Sequence, residues 1–570
     1  MAGHRKRDLV LLCLVAAAFL LLGAVYFTGL YCSDDTRYML GAMRIALGEP
    51  ISTASLAERR VMFLLPAALF HAPGRDVELL VAPYLAFFVG TGCAGYLLAR
   101  HFMAQGGGLL AAALAAAQPV LFLHAGAMLP DIAGAFFFVL ALLLACRWLE
   151  APDMPGSRGT RAWLALGVGA CMAASFSMKE SGMVLLPVPL AVMALASKRS
   201  GARAWAASTA ALALGLGLVL ALEAVVFRLT AGHWYSSLLS LSTPHDMQAY
   251  MRLQGTAPWT RLATLRATLG PFTTTLFLLA GASTLHLLQR WWRGRMTRLQ
   301  ALAWLAVVLG WAWPMVAFTF GSVSLAEYLP PVIQQRYYAP AVVPAAILAA
   351  HLLIQMVRMG RGGRFRPGLV PAALLALWLL SAPWALRAER GLIYSAEAKE
   401  ALLSARLDAA RRYPGMPLLE VDSGWTTDLG RCRVLLVPDL PGGEARLAAA
   451  LLSGDDRRGR FLRPAAKELE PPFLVLGHGA FLASSTPGQW VADLLRRQRE
   501  GGVSVEKLGR YGPASPVAVR PWLPRTLSVR SAGPDAIRQL DGADDHPDGR
   551  AGFVDLYLVT EPKPGRQASR

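Results

Sequence analysis

Two adjacent carboxylates, Asp34 and Asp35, follow the first apolar segment of the chain in the stretch LYCSDDTRYMLG. A carboxylate here could act as a general base, because it can meet a lipid-borne substrate on one side and an aqueous one on the other. Taken alone, the pair favours a structural role, since Ser33 or Asp34 could cap a helix that holds Asp35 in its first turn. Apolar residues at helical spacing continue to Gly48 and Pro50, which predicts an amphipathic helix on the outer membrane surface.

Three further ionisable residues stand at predicted helix ends. Asp131 follows Pro130 in MLPDIAGAFFF, and Lys179 and Glu180 share the predicted turn SFSMKESGM. Asp131 could simply complement the dipole of its helix, and Lys179 could simply pair with Glu180. Only seven of the 56 basic residues are lysines, however, and a lysine ammonium is a compact charge well suited to a phosphate.

Basic and aromatic residues complete the set at two more places. Glu58, Arg59 and Arg60 precede an apolar stretch that we interpret as a short hairpin. Arg336 and Tyr337 stand where a late apolar segment begins, and snorkelling or interfacial anchoring explains them almost as well as substrate binding does. Each feature has such a structural explanation, but together they bring acids and cations from five segments to the same predicted side of the membrane.

The elements that must position these residues are transmembrane helices. Of the 570 residues, 55% are hydrophobic and 16% are charged, whereas a soluble chain is charged at about a quarter of its positions. A spanning helix needs about 20 apolar residues, so the sequence predicts a polytopic α-helical membrane protein. We predict about eleven spans, at residues 9–28, 77–99, 107–123, 128–148, 162–176, 182–196, 205–227, 270–288, 299–320, 337–357 and 369–386. The fifth and sixth of these are short and are open to interpretation as partly re-entrant segments.

Arginine-rich loops alternate along the chain and give the predicted orientation. Segments such as QRWWRGRMTR and RMGRGGRFR lie in every second loop, which the positive-inside rule places in the cytoplasm together with the N-terminus. This topology accounts for most of the net charge of +19 without a nucleic-acid partner. The chain lacks asparagine, whose codons are AT-rich, so we expect the inner (plasma) membrane of a bacterium with a GC-rich genome.

Two domains are predicted from the same pattern. A multi-span transmembrane domain covers residues 1–387, with juxtamembrane helices in its first external loop at residues 30–76, and a small periplasmic α/β domain covers residues 388–570. In that second domain, VLLVPDL, PFLVLGHGAFL and FVDLYLVTE have the apolar pattern of strands, and WVADLLRRQRE has that of a helix.

These motifs, in this order, resemble the GT-C superfamily of membrane glycosyltransferases over about the first 390 residues. The likeness is greatest to the branch of protein O-mannosyltransferases and aminoarabinose (lipid A) transferases. Its acidic pair with a following tyrosine is present as DDTRY, which ends at Tyr38, and its later aspartate is Asp131. Lys179 and Glu180 match a TKE-like turn, and RYYAPAVVP, which begins at Arg336, matches the start of a late helix.

The resemblance implies a GT-C-like fold and an inverting transfer of a hexose or pentose. The donor would be a sugar on polyprenyl phosphate (undecaprenyl-type), and the acceptor a lipid, glycan or protein on the outer side. Asp34, with Asp35 beside it, would take the proton of the acceptor hydroxyl, and Asp131 would hold sugar hydroxyls or orient Lys179. The residues implied in binding the substrate and its phosphate are Lys179, Glu180, Asp131, Arg336, Tyr337, Glu58, Arg59, Arg60 and Tyr38.

Two positions depart from the pattern of the branch. The second acid of the pair is Asp35 where a glutamate is usual, and the sequence from Glu58 to Val61 is Glu-Arg-Arg-Val where the aminoarabinose transferases have Glu-Lys-Pro-Pro. An inherited metal site that uses Glu58 is therefore in doubt. The sequence demands no cofactor and leaves a divalent metal open.

Two other functions compete with glycosyl transfer. A lipid-linked-sugar transporter or flippase would show ionisable residues or broken helices near the bilayer midplane, and often an internal repeat. We find neither in the sequence, because Glu223 and Arg228, the charged residues nearest to mid-span, lie in the outer half of the seventh predicted span. A non-catalytic envelope assembly protein would share the topology but would tolerate Asp34→Asn.

Overall fold

The computed structural model describes most of the first 359 residues and short stretches of the rest. The described residues are 2–25, 34–48, 50–51, 57, 59–70, 77–151, 158–197, 202–240, 257–322, 328, 330–331, 333–359, 405, 408–409, 411–414, 416, 418–420, 471–478, 503–511 and 554–560. The chain divides into two compact units: Met1–Phe27, Gly41–Arg75 and Leu80–Ala388 form the first, and Thr28–Leu40, Asp76–Leu79 and Glu389–Arg570 form the second. The domain boundary predicted near residue 387 lies outside the described residues.

Helices account for nearly all of the described residues before residue 360. The α-helices are α1 (Ala2–Val25), α2 (Asp34–Leu47), α3 (Val61–Phe70), α4 (Leu85–Phe102), α5 (Gln105–Ala116), α6 (Pro119–Ala125), α7 (Pro130–Glu150), α8 (Arg158–Met178), α9 (Pro187–Ser197), α10 (Ala202–Ala231), α11 (Ser237–Ser240), α12 (Pro258–Trp292), α13 (Arg298–Phe320) and α14 (Ala339–Met359). Three 3-10 helices lie between them, at Val77–Tyr84, Glu180–Leu185 and Gln335–Tyr338.

Eight helices in the described part of the chain are long and apolar enough to cross a membrane, which confirms the predicted polytopic α-helical class. They correspond to eight of the eleven predicted spans, namely α1, α4, α7, α8, α10, α12, α13 and α14. The eleventh predicted span, at 369–386, lies outside the described residues.

The third predicted span is broken. Its two halves, α5 and α6, are bent by 67° relative to each other across Ala117 and Gln118. Pro119 opens α6, and a proline cannot donate the backbone hydrogen bond that would continue α5. The expectation of unbroken spans was wrong here, because the residues on both sides of the proline are equally apolar.

The sixth predicted span is also not a single long helix. The 3-10 helix Glu180–Leu185 leads into α9, which has 11 residues and is about half as long as a spanning helix. Pro187 lies at the junction and again interrupts the backbone hydrogen bonding. The segment that follows Lys179 is therefore shorter than a regular span.

Two helices, α2 and α3, lie in the segment where we predicted juxtamembrane helices. The amphipathic helix is confirmed as α2, which begins at Asp34, and Gly48 ends it with a φ of 72°. The stretch after Arg60 is the single helix α3 rather than the hairpin we predicted. It contains no glycine or polar turn residue that would let the chain reverse.

The helix α14 lies at the centre of the first unit. Every residue from Ala339 to Ala350 is buried, and α14 packs against α4, α5, α7, α12 and α13. A helix that is apolar and buried on all sides is typical of the interior of a helical bundle. Its small residues, mostly alanine and valine, let five neighbours approach closely.

The pair α8 and α10 shows the closest backbone packing. A Cβ atom on Gly169 would lie 2.0 Å from the carbonyl oxygen of Leu212, and one on Gly215 would lie 2.1 Å from that of Leu166. Both positions therefore demand glycine, as is common where membrane helices meet. Gly217, one half-turn further along α10, has open space around its missing side chain.

This contrast predicts that the same substitution, glycine to alanine, has opposite effects on stability at two positions of α10. Gly215→Ala should lower the melting temperature of the purified protein and its yield, because the new methyl group meets backbone rather than a movable side chain. Gly217→Ala should be neutral or stabilising by up to about 1 kcal/mol, because alanine is the better helix former. Thermal unfolding in matched detergent measures both, and equal melting temperatures would show that α8 and α10 do not touch at Gly215.

The second unit contains a four-stranded mixed sheet. Its described strands are β1 (Leu418–Glu420), β2 (Phe473–His478), β3 (Ser504–Tyr511) and β4 (Val554–Thr560), in the order β1-β2-β4-β3. β1 runs parallel to β2, and β4 is antiparallel to both β2 and β3, with a register shift between Lys507 and Gly509. The strands predicted in PFLVLGHGAFL and FVDLYLVTE are confirmed, whereas VLLVPDL and WVADLLRRQRE lie outside the described residues.

Candidate functional site

Asp131 is the buried carboxylate at the centre of a cluster of charged side chains. It lies in the first turn of α7, directly after Pro130 at the first helical position. Proline is favourable there because its missing N–H has no helical partner, and an acid in the first turn interacts well with the helix dipole. The side chain of Asp131 is only 3% exposed, so its charge needs partners other than bulk water.

Two cations share this carboxylate. Lys179 Nζ donates a hydrogen bond of 2.6 Å to Oδ1 of Asp131, and Arg336 Nε lies 3.8 Å from Oδ2. The ammonium group of Lys179 also lies 3.9 Å from the centre of the Tyr337 ring, a close cation–π contact. The carboxylate thus holds two positive charges next to each other, and an aromatic ring covers one of them.

Close backbone packing holds the turn that carries Lys179. The Gly182 N–H donates to the Lys179 carbonyl at 2.8 Å, and a Cβ atom on Gly182 would lie 2.5 Å from the carbonyl oxygen of Ser175. The Ser175 hydroxyl donates to the carbonyl of Gly134, which is one helical turn from Asp131. These contacts fix α7, α8 and the turn in the register that brings the lysine to the aspartate.

A second ion pair lies beside the first. Arg60 donates to Oε2 of Glu180 from Nη2 at 2.6 Å and from Nε at 3.1 Å, and the two side chains are 8% and 14% exposed. Arg60 directly precedes α3, whose Phe63 carbonyl accepts a 2.6 Å hydrogen bond from the Tyr84 hydroxyl. Lys179 and Glu180 therefore each find their closest partner on another segment, which corrects the interpretation of the turn as a simple local pair.

Burial and charge together set the protonation of the turn. Burial lowers the pKa of Lys179 to about 8, the Asp131 carboxylate opposes this change, and the guanidinium groups of Arg336 and Arg60 add to it. Burial alone would raise the pKa of Glu180, but the Arg60 guanidinium outweighs it and holds that pKa below its usual value. Lys179 is therefore a cation that begins to lose its proton only slightly above neutral pH.

The segment that carries Arg336 is fastened at both sides. The Tyr338 hydroxyl lies 3.1 Å from Oγ1 of Thr319 near the end of α13. Arg261 of α12 is fully buried and donates to the backbone carbonyls of Thr319 and, at 2.6 Å, of Pro331. The 3-10 helix Gln335–Tyr338 is thereby held against α12 and α13.

A small cleft lies beside this cluster of charged side chains. Asp131, Lys179 and Tyr337 line it together with apolar side chains such as Leu185 and Phe318. Within the described part of the chain, the cluster joins the three cations Lys179, Arg336 and Arg60 to the two carboxylates Asp131 and Glu180. A site of this kind can hold an anion such as a phosphate ester and stabilise further negative charge on it.

The predicted site residues fall into three groups. Asp131, Lys179, Glu180, Arg60, Arg336 and Tyr337 come together in the first unit, as described above, and Arg59 is half-buried one residue before Arg60. Asp35 and Tyr38 are buried residues of α2 that belong to the second unit. The Asp34 side chain and the whole of Glu58 lie outside the described residues.

Metal binding was left open by the sequence. Within the described residues, no three side chains among His, Cys, Asp and Glu come together as a metal-binding group. The buried carboxylate Asp131 is instead faced by the side-chain cations Lys179 and Arg336. This donor set fits an anion rather than a cation as the ligand.

Sequence reasoning missed three residues that shape the site. Arg261 and Ser175 act through backbone carbonyls, which leave no trace in the pattern of side chains. His124 is buried at the end of α6, close enough for the charges of Asp131, Lys179 and Arg336 to act on it. Its only signal was its position as a lone histidine in an apolar stretch seven residues before Asp131.

Comparison with known proteins returned matches only among solved structures. No protein-family model matches this sequence, and no curated protein matches it. The archaeal oligosaccharyltransferase AglB from Archaeoglobus fulgidus, in complex with an inhibitory peptide and a dolichol-phosphate, is 14% identical with a TM-score of 0.47, and the match covers 91% of this chain and 74% of that chain. ArnT from Cupriavidus metallidurans, bound to undecaprenyl phosphate, is 16% identical with a TM-score of 0.44, and the match covers 97% of both chains.

Both neighbours are members of the GT-C superfamily. This chain is similar to these solved structures over most of its length. Its function is inferred below from its own side chains.

The ion pair between Arg60 and Glu180 gives a test of the described geometry. Arg60→Met should destabilise the protein by about 3–5 kcal/mol, because it leaves the Glu180 carboxylate buried without its main partner. The double variant Arg60→Met/Glu180→Met should recover much of that loss, since it removes both charges. Thermal unfolding of wild type, the two single variants Arg60→Met and Glu180→Met, and the double variant gives the coupling energy between the two side chains. Purely additive losses of stability would contradict the pairing.

Proposed function

We propose that this chain is a membrane glycosyltransferase that moves a sugar from a polyprenyl-phosphate donor to an acceptor hydroxyl on a lipid, glycan or protein. The observation that carries the proposal is the buried group in which Lys179 and Arg336 share the carboxylate of Asp131 beside Tyr337. Its side-chain cations suit a phosphate ester, and its apolar surroundings suit a lipid. These residues also lie within the motifs that resemble the GT-C superfamily.

The proposed reaction is a single displacement at the anomeric carbon. The acceptor oxygen forms a bond to this carbon while the bond from the carbon to the phosphate oxygen breaks, so that the configuration inverts. The electron pair of the broken bond remains on the phosphate, and Lys179 and Arg336 stabilise the added negative charge. The proton of the acceptor hydroxyl passes to a carboxylate, and the products are a glycosylated acceptor and polyprenyl phosphate.

We assign the role of base to Asp34 and a positioning role to its neighbour. Asp35 is fully buried in α2 and takes part in interactions there, which favours a part in holding this helix. Asp34 is the first residue of this helix and the first acid of the pair. This division refines the expectation that both acids take part in catalysis.

We further propose that the site opens to the outer side of a bacterial inner membrane. The contact between Tyr338 and Thr319 ties the C-terminal end of α13 to the segment that carries Arg336. The other end of this 23-residue helix, about 34 Å away, joins the arginine-rich turn RWWRGRMTR. The positive-inside rule places that turn in the cytoplasm, and therefore the cleft on the opposite face.

The binding of undecaprenyl phosphate to the purified protein tests the phosphate site. Lys179→Met should weaken this binding at least about tenfold, because a charge-assisted contact is lost. The wild-type affinity should also fall by up to about tenfold per pH unit above 8, since the pKa of Lys179 is about 8 and only its protonated form attracts the phosphate.

Lys179→Arg provides the matched control for this pH dependence. Arginine keeps its charge throughout this range, so the affinity of the variant should stay level between pH 8 and 10. The phosphate is already fully ionised above pH 8, which leaves the lysine as the group that titrates. An equal fall in wild type and Lys179→Arg, or full binding by Lys179→Met, would remove the basis of the proposal.

The proposed base makes a separate prediction. Asp34→Asn should reduce sugar transfer by roughly 10²–10⁴-fold while leaving the binding of undecaprenyl phosphate unchanged. Asparagine caps a helix about as well as aspartate does, so a purely structural role for Asp34 predicts nearly full activity. Transfer rates, compared at equal amounts of folded protein, separate these two outcomes.

A lipid-linked-sugar flippase is the second candidate function. The break between α5 and α6, bent by 67°, is the kind of discontinuous helix that transporters use. A flippase would bind the same lipid through the same cations but would form no product. Conversion of the donor to a glycosylated acceptor in detergent, where no membrane separates two sides, favours the transferase.

A further inference from the structure

His124 is a buried side chain whose polar atoms lack partners. The residue is 5% exposed, and neither Nδ1 nor Nε2 has a hydrogen-bond partner among the residues that the structure describes. A buried polar group without a partner costs free energy, since it has given up its bonds to water. Such groups call for an explanation, and a ligand that completes the bonding is one.

His124 lies close to the candidate site but is not among the residues that line its cleft. Its helix α6 packs against α7, which carries Asp131, and against the 3-10 helix Gln335–Tyr338, which carries Arg336. The charges of Arg336, Asp131 and Lys179 all act on the imidazole. The histidine therefore borders the cluster that we assign to the sugar-phosphate donor.

The same cluster contains a second buried atom without a hydrogen bond. Oδ1 of Asp131 accepts the bond from Lys179, whereas Oδ2 accepts none within the described part of the chain. Arg336 Nε lies 3.8 Å from Oδ2, which is an ion-pair distance and too long for a hydrogen bond. Asp131 also lines the cleft itself.

We propose that His124 and Oδ2 of Asp131 form a subsite for a hydroxyl group of the transferred sugar. One hydroxyl can donate its proton to the carboxylate oxygen and accept a hydrogen bond from the imidazole, which has at least one N–H in either charge state. This inference rests on the proposed function and extends it, because it names the part of the site that recognises the sugar. Lys179 and Arg336 bind the phosphate, and His124 with Asp131 binds the sugar.

The subsite also has consequences for specificity. A site built to hydrogen-bond a hydroxyl rejects an analogue that lacks it, since the buried polar groups are then left without partners. His124 thus acts as a specificity-determining residue rather than as a base.

Two kinds of ligand and two variants test the subsite. The ligands are bare undecaprenyl phosphate and undecaprenyl phosphate that carries glucose, mannose, galactose or arabinose. The variants are His124→Phe, which keeps the ring shape without nitrogen, and His124→Gln, which keeps a donor and an acceptor. Affinities of each ligand for wild type and both variants are measured in the same detergent.

Wild type is expected to bind at least one sugar-bearing lipid more tightly than bare undecaprenyl phosphate. His124→Phe should lose about tenfold in affinity for that lipid, the equivalent of one buried hydrogen bond, and should bind the bare lipid phosphate as wild type does. His124→Gln should recover part of the loss. Unchanged binding of the bare lipid also shows that the variant is folded.

Three results would overturn the subsite. One is an equal loss of both ligands in His124→Phe, which would mean a structural role, and another is no loss of either. The third is a wild type that binds no sugar-bearing lipid more tightly than the bare one, in which case the phosphate site stands without the sugar subsite. A wild type that binds neither ligand fails the proposed function itself, and the subsite with it.

Discussion

The buried hydrogen bond between Lys179 and Asp131 is the interaction on which the account of this protein depends. Neither charge is stable alone in an apolar interior, so each requires the other. The bond joins the first turn of α7 to the turn after α8, and Arg336 brings the start of α14 to the same carboxylate. Three segments that are distant in the sequence thus meet at one buried carboxylate, and this is the geometry from which we propose a phosphate-binding site.

Packing away from the cluster serves to keep these helix ends in place. Glycines at the contact of α8 with α10, and at the turn after Lys179, allow backbones to approach more closely than any side chain would permit. The buried helix α14 fixes the position of its neighbours, and Arg261 ties the segment before it to α12 and α13. The charged residues are thus carried by closely packed helix ends.

Much of this arrangement follows from the sequence, and the exceptions have physical causes. Long apolar runs predict spans well, because a bilayer demands about 20 such residues, and the positions of Asp131, Lys179 and Arg336 at helix ends follow from those runs. The break at Pro119 does not, because apolar content is the same in a broken helix as in a straight one, whereas the sequence does predict the short segment that contains α9. The partners of charged side chains are harder still to predict from the sequence, since the pairing of Arg60 with Glu180 joins residues 120 positions apart.

The most direct test of the central claim is mass spectrometry of the glycolipids, glycans and glycoproteins of the envelope in a strain that lacks this chain. The strain is complemented with wild type, Lys179→Met or Asp34→Asn, at equal membrane levels. The account predicts that one sugar modification disappears in the deletion strain and that only wild type restores it, which would also identify the sugar and the acceptor. If every modification persists in the deletion strain, or if both variants restore the lost one fully, the assignment as a glycosyltransferase with this site is wrong.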